Sequence, residues 1–122
     1  MGSVDLKTEI PGPKSLALAE RRKSAVVNAH VSVAPIYADS AQRATISDVD
    51  GNVFLDFAGG IGALNSGHRH PVILDRIRQQ MDDFLHVCFT VTPYELYIEL
   101  AEKLNEITPG DFPKKTLLVN SG

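Results

Sequence analysis

Apolar and polar positions change period several times along the chain, and each change predicts an element. Leu16, Leu18 and Ala19 follow Ser15 at helical spacing, so a short helix capped by Ser15 is predicted through about Lys23. Ahead of it Gly2, Pro11, Gly12 and Pro13 break any period, and residues 1–14 read as a flexible arm. Residues 26–37 are rich in β-branched side chains but interrupted by Asn28, His30 and Pro35, which predicts irregular, partly extended chain. Ile46 and Val49 precede Asp50-Gly51-Asn52, and Val53, Leu55 and Phe57 alternate after it. That pattern predicts a β-hairpin over 45–57, with Asp-Gly supplying the positive φ of its turn.

Ala58-Gly59-Gly60-Ile61-Gly62 is too rich in glycine for a helix or a regular strand. Leu74, Ile77, Met81, Phe84 and Leu85 then predict a helix over 71–85, with Pro71 in the first position, where its missing N–H costs nothing. Tyr97, Leu100, Ala101, Leu104 and Ile107 predict a second helix over 93–107, opened by a Thr92/Glu95 capping box and stopped by Thr108-Pro109-Gly110-Asp111. Leu117-Leu118-Val119 reads as a buried strand running into Asn120-Ser121-Gly122. A strand entering a loop calls for a further element, so the 122 residues are expected to be a piece of a longer protein.

Composition adds exclusions. With 43% apolar and 22% charged residues the chain is expected to be globular rather than disordered. Twelve basic against 15 acidic residues give a net charge of −3, which supplies no positive field for nucleic acid or an anionic membrane. Cys88, the one cysteine, allows no intrachain disulfide, and the N-terminal residues lack the apolar stretch of a signal peptide. No apolar run is long enough to span a bilayer. A cytoplasmic location is the expectation.

Four stretches could carry chemistry. The glycine segment 59–68 allows close backbone approach to a ligand, or is simply a sharp bend between hairpin and helix. It is not a phosphate loop, because no Gly-Lys-Ser/Thr follows. Val119-Asn120-Ser121-Gly122 would suit an anion if a helix followed, since free N–H groups and the helix dipole favour one there. Otherwise it is an ordinary connection. His68 and His70 bracket Arg69, and a structural hydrogen bond is favoured over a metal site because Pro71 starts a helix at once. Cys88, between Val87 and Phe89, is expected to be buried and inert rather than a thiolate activated by His86. Asp82, Asp83, Glu95, Glu99 and Glu102 read as solvated helix faces, with Glu99 and Lys103 an i,i+4 pair.

Residues 50–62, Asp-Gly-Asn-Val-Phe-Leu-Asp-Phe-Ala-Gly-Gly-Ile-Gly, followed by Asn65-Ser66-Gly67-His68-Arg69-His70-Pro71, resemble class III (ω-amino acid) aminotransferases. Within that family, His86-Val87-Cys88-Phe89-Thr90, Tyr94-Glu95, Pro109-Gly110-Asp111-Phe112 and residues 114–122 are similar to members that use 4-aminobutyrate. The resemblance runs from about Arg21 to Gly122.

It implies an α/β fold, the N-terminal part of a PLP-dependent transferase of fold type I. Residues 1–14 would be the arm, 15–70 a small-domain segment with hairpin and glycine-rich substrate loop, and 71–122 the helices and first strand leading into the large cofactor domain. The implied reaction moves the amino group of an ω-amino acid, 4-aminobutyrate first, to 2-oxoglutarate through pyridoxal 5′-phosphate. Ornithine, acetylornithine or β-alanine are the alternative donors, and a catalytically inactive fragment is the alternative to an enzyme. Matched residue by residue, Ser121 and Gly122 fall at the cofactor phosphate, and Gly60, Ile61 and Thr90 on the substrate side. The family's cofactor-bearing lysine, and the aspartate facing the pyridinium nitrogen, lie beyond Gly122; Lys114 and Lys115 do not match that lysine. No catalytic residue is therefore assigned, and the 122 residues alone are expected to be inactive. The family further implies a homodimer, with an amino acid and a 2-oxo acid as small-molecule partners.

Overall fold

A computed structural model describes residues 3–29 and 31–120. The chain falls into two units, Met1–Arg78 and Gln79–Gly122. The division lies inside a helix, later than the boundary between residues 70 and 71 that the family resemblance implies.

The first unit holds helix α1 (Pro13–Ala25) and an antiparallel meander of β1 (Ala38–Gln42), β2 (Thr45–Asp48) and β3 (Val53–Leu55) in the order β1-β2-β3. The hairpin is present as expected, with Thr45 opposite Leu55, Ile46 opposite Phe54 and Ser47 opposite Val53. Gly51 takes φ 87° in its turn, the conformation Asp-Gly was expected to supply. β3 stops at Leu55, so Phe57 lies beyond the ladder and is 94% exposed. β1 was not foreseen: Ala-Asp-Ser-Ala-Gln is mostly exposed and carries no β-branched residue to announce it.

The flexible arm requires correction. Asp5 and Val53 exchange both main-chain hydrogen bonds at 3.0 and 2.7 Å, adding a bridge on the free side of β3. Asn52, fully buried, binds the arm from the hairpin turn. Its Oδ1 accepts from the N–H groups of Lys7 (2.6 Å) and Thr8 (2.9 Å), and its Nδ2 donates to Thr8 Oγ1 and Asp48 Oδ2. The arm's pairing groups are thus satisfied by side chains far along the sequence, which a local reading cannot see.

The capping of α1 is also tertiary. Gly12, not Ser15, is the N-cap; Ser15 sits buried in the first turn. The Asp50 carboxylate reaches across from the hairpin turn and accepts from Lys14 N, Ser15 N and Ser15 Oγ at 2.7, 2.9 and 2.6 Å. An anion there satisfies orphan N–H groups and meets the positive end of the helix dipole. Burial opposes ionisation of Asp50, but the Ser15 hydroxyl, these N–H groups and the Lys14 charge outweigh it and hold the carboxyl below its usual range. Of the expected inner face, Leu18 and Ala19 are partly covered while Leu16 is exposed. The segment before β1 has no helix or strand, in keeping with its broken pattern.

The second unit, together with the helix that leads into it, departs from the sequence reading at five points. Helix α3 spans Pro71–Asp83, two residues short of Leu85, and α4 spans Glu95–Ile107. The capping box is absent. Tyr94 is the N-cap, in extended conformation and with no side-chain cap bond. Its ring lies edge-on to Phe84, Phe89 and Tyr97, so aromatic packing sets where the helix starts. Lys103 pairs with Glu106 at 2.8 Å rather than with Glu99. Residues 117–119 join no strand: no neighbouring strand lies beside them among the described residues, and Leu118 N donates to Tyr97 Oη (3.0 Å) instead. Cys88 is exposed, not buried. Its carbonyl accepts from Val91 N and Thr92 N, and in that tight turn Phe89 takes the inner position, stacked on Tyr97 with centroids 3.9 Å apart.

Among the described residues no apolar side chain is fully buried; Ser15, Asp48 and Asn52 are the buried side chains. The first unit is therefore joined largely by hydrogen bonds converging on the hairpin turn, with apolar side chains such as Ile46, Val53 and Phe54 only half-buried.

Candidate functional site

The glycine segment folds into a short turn, α2 (Gly59–Gly62), in which all four residues have positive φ: 51°, 62°, 58° and 79°. Gly60 and Ile61 have left-handed helical ψ values of 37° and 50°. Gly62 N donates to Ala58 O at 3.0 Å and Leu64 N to Gly59 O at 2.9 Å, closing the turn. The expectation that it is neither an ordinary helix nor a strand holds. Glycine makes such a run cheap, but Ile61 is β-branched, and the left-handed region costs a residue with a Cβ about 1–2 kcal/mol. Its side chain is 98% exposed, so packing within the described residues does not offset that cost. Backbone strain of this kind clusters at binding sites and switch regions.

The ends of this loop are tied to one place. Asp56 N donates to Ala44 O at 2.9 Å, and Arg43 and His68 exchange both main-chain bonds at 2.8 and 2.7 Å. Arg43 and Ala44 form the turn between β1 and β2, so the loop leaves and returns at that turn. Gly67 is required there. Its φ is 74°, and a Cβ would stand 2.8 Å from Arg43 O.

Side chains reinforce the closure. Asp56 Oδ1 accepts from Ala58 N (3.0 Å) and Gly59 N (2.9 Å), while Asp56 Oδ2 lies 2.6 Å from His68 Nε2. The two side chains are 5% and 19% exposed. The His68 hydrogen bond first, then the Gly59 N–H, hold the Asp56 carboxyl below its usual range, against the opposing effect of burial. His68 therefore takes the structural role expected of it. No cluster of three or more His, Cys, Asp or Glu among the described residues is arranged to hold a metal. Residues 57–64 carry only Phe, Ala, Ile and Leu side chains besides glycine. Chemically the loop can bear against methylene groups and exclude water.

Gly60 and Ile61 therefore stand together on the loop of the first unit. Thr90 belongs to the second, exposed in the turn after Cys88. Ser121 and Gly122 lie outside the described residues. The chain leading to them is anchored to α4: Thr116 Oγ1 donates to Asn105 Oδ1 at 2.8 Å, and Tyr97 Oη holds Leu118 N. A concavity along α4 lined by Pro93, Tyr94, Glu95, Ile98, Glu99 and Glu102 does not include Thr90. The hollow beside α1, bounded by Pro11, Leu16, Val33 and Tyr37, does not include Gly60 or Ile61. Sequence reasoning passed over Asp56 and Arg43. The pairing of Asp56 with the histidine twelve residues on had no local signal, because their separation fits neither a helix nor a strand.

Residues 26–122 match the sequence family described as aminotransferase class-III. The 5-aminovalerate aminotransferase DavT of Pseudomonas putida is 46% identical over 106 residues, which cover 87% of this chain and 25% of that protein. The 4-aminobutyrate aminotransferase GabT of Escherichia coli is 46% identical over 105 residues, covering 86% and 25%. The crystal structure of an ω-transaminase from Sphaerobacter thermophilus superposes with a TM-score of 0.69 at 31% identity, covering 80% of this chain and 23% of that one. The chain spans about a quarter of the length of the curated relatives it matches.

Proposed function

The chain belongs to the class III aminotransferases, and from that premise we propose that it is the N-terminal part of an enzyme that moves the amino group of an ω-amino acid to a 2-oxo acid. The observation that carries the reading is Ile61, almost wholly exposed on a left-handed turn inside a loop of apolar side chains. Such a wall suits the methylenes between the amino and carboxyl groups of the donor. The names of the relatives support donors of this kind: 4-aminobutyrate and 5-aminovalerate differ by one methylene. 5-Aminovalerate was not among the donors weighed from the sequence. We assign 4-aminobutyrate as the donor and 2-oxoglutarate as the acceptor, with Thr90 on the substrate side. A homodimer in the cytoplasm completes the reading; no helix among the described residues is long and apolar enough to cross a membrane.

Pyridoxal 5′-phosphate would supply the electron sink for the transfer when bound. Ser121 and Gly122 would hold its phosphate. The donor set fits: a hydroxyl and main-chain N–H groups, with no carboxylate between Leu117 and Gly122. Tyr97 and Asn105 would position that segment through Leu118 and Thr116.

The experiment is a donor panel. The full-length protein, supplied with cofactor and 2-oxoglutarate, is given 4-aminobutyrate, 5-aminovalerate, β-alanine, ornithine and acetylornithine in turn. Highest kcat/KM with 4-aminobutyrate is expected. A preference for ornithine or acetylornithine would overturn the donor assignment, and no turnover with any of them would overturn the enzyme class.

A further inference from the structure

Beyond closing the loop, the Asp56–His68 pair has no part in the proposed reaction, yet it is among the least exposed ionisable pairs in the first unit. Its geometry is specific. Asp56 uses one oxygen for the two N–H groups that begin the left-handed turn and the other for the imidazole that ends the loop. One carboxylate therefore fixes the first residue of the strained turn relative to the returning strand of chain. The main-chain tie between Arg43 and His68 holds the far side of the same junction. Without the side-chain pair, the loop would still be closed at Arg43. Ala58 and Gly59 would then keep only the bonds that their carbonyls accept from Gly62 N and Leu64 N, within the turn itself, and the run of positive φ that begins there would be freer to relax.

Resting on the reading of Ile61 as a wall for the donor's methylenes, we propose that Asp56 and His68 are positioning residues: a latch that holds Ile61 in its strained, outward conformation and so sets donor chain-length selectivity without touching the donor. An unlatched loop lets Ile61 leave the left-handed region, which is downhill for a β-branched residue. The wall then becomes soft, and donors differing by one methylene are distinguished less. Selectivity of this size is what a single methylene in an apolar pocket ordinarily supplies, roughly 10- to 200-fold.

The test uses the full-length protein and three variants, His68→Ala, His68→Gln and Asp56→Asn. Amide exchange at Ala58, Gly59 and Gly62 reads the latch directly, and the ratio of kcat/KM for 4-aminobutyrate over 5-aminovalerate reads its consequence. His68→Ala should speed exchange at these amides by about tenfold or more, the worth of a hydrogen bond to a charged group. It should also move the donor ratio toward unity, mainly through KM. Asp56→Asn keeps an acceptor for Ala58 and Gly59, and should disturb exchange less than it disturbs the imidazole contact. His68→Gln, which can still donate to Asp56, should recover most of both effects. Wild-type exchange in His68→Ala would overturn the latch. Fast exchange with an unchanged donor ratio, or an equal loss for both donors, would overturn its role in selectivity. If the wild-type protein transfers nothing from any ω-amino acid, the substrate reading fails by itself, and the exchange rates still decide whether the latch exists.

Discussion

Replacing Asn52 by alanine should release the N-terminal arm from the hairpin. The side chain makes four hydrogen bonds: from Lys7 N and Thr8 N to Oδ1, and from Nδ2 to Thr8 Oγ1 and Asp48 Oδ2. The bond to the Asp48 carboxylate is buried and is worth about 2 kcal/mol, because its loss strands a charged acceptor away from water. The other three are only partly buried, so water replaces much of each and the net loss is about 0.5 kcal/mol apiece. The Asp48 bond lies within the hairpin itself and bears on the turn, so the three bonds to Lys7 and Thr8 set the docking: the arm should be less firmly held by about 1.5 kcal/mol, roughly tenfold in its opening equilibrium. Amide exchange at Asp5 and Val53 measures this cleanly, since those groups bond each other and not Asn52. Asn52→Asp should be at least as damaging near neutral pH, because it sets an oxygen where Nδ2 now stands 2.8 Å from Asp48 Oδ2. If exchange at Asp5 and Val53 in Asn52→Ala stays within about threefold of wild type, the reasoning that Asn52 holds the arm is refuted.

Gly12→Ala places a Cβ against Asp50 Cγ, 2.6 Å from both Asp50 Oδ2 and Thr8 Oγ1. It should expel the carboxylate from the start of α1 and speed amide exchange at Leu16 by about threefold to thirtyfold, the range for a lost cap. Acid should act on the same contact. The Asp50 carboxyl lies below its ordinary range when folded, so it stabilises the docked helix at neutral pH. That contribution should fade as pH falls below about 4 and through the folded value, and Asp50→Asn should remove this pH dependence of exchange in α1. Ile61→Trp should raise KM for the ω-amino donor about tenfold while leaving the thermal midpoint near wild type; a large loss of stability with unchanged kinetics would make Ile61 a packing residue.

What could be read from the sequence was what is local. Asp50-Gly51 with alternating apolar neighbours announced the hairpin, and Pro71 with its periodic apolar residues announced α3. What failed depended on partners distant in the chain. Asn52 looked like a turn residue, yet it binds Lys7 and Thr8; Ser15 looked like a cap, yet Asp50 does the capping. The Thr92/Glu95 box gave way to aromatic packing at Tyr94, and Cys88 was turned outward by the bend that seats Phe89. Residues 117–119 had the composition of a strand, but a strand forms only beside another. The glycine segment was recognisable as irregular, and its kinship to a family was recognisable from its residues. That Ile61 would sit strained and exposed, and that His68 would close the loop through Asp56, required the structure.

We propose that the full-length protein passes an amino group from an ω-amino acid to a 2-oxo acid. The measurement that tests it most directly follows the nitrogen itself. The full-length protein is incubated with pyridoxal 5′-phosphate, 2-oxoglutarate and 4-aminobutyrate isotopically labelled at nitrogen, and the glutamate formed is weighed by mass spectrometry. The account predicts labelled glutamate, formed only when protein and donor are both present. Release of the label as ammonia, or glutamate that remains unlabelled, would contradict it.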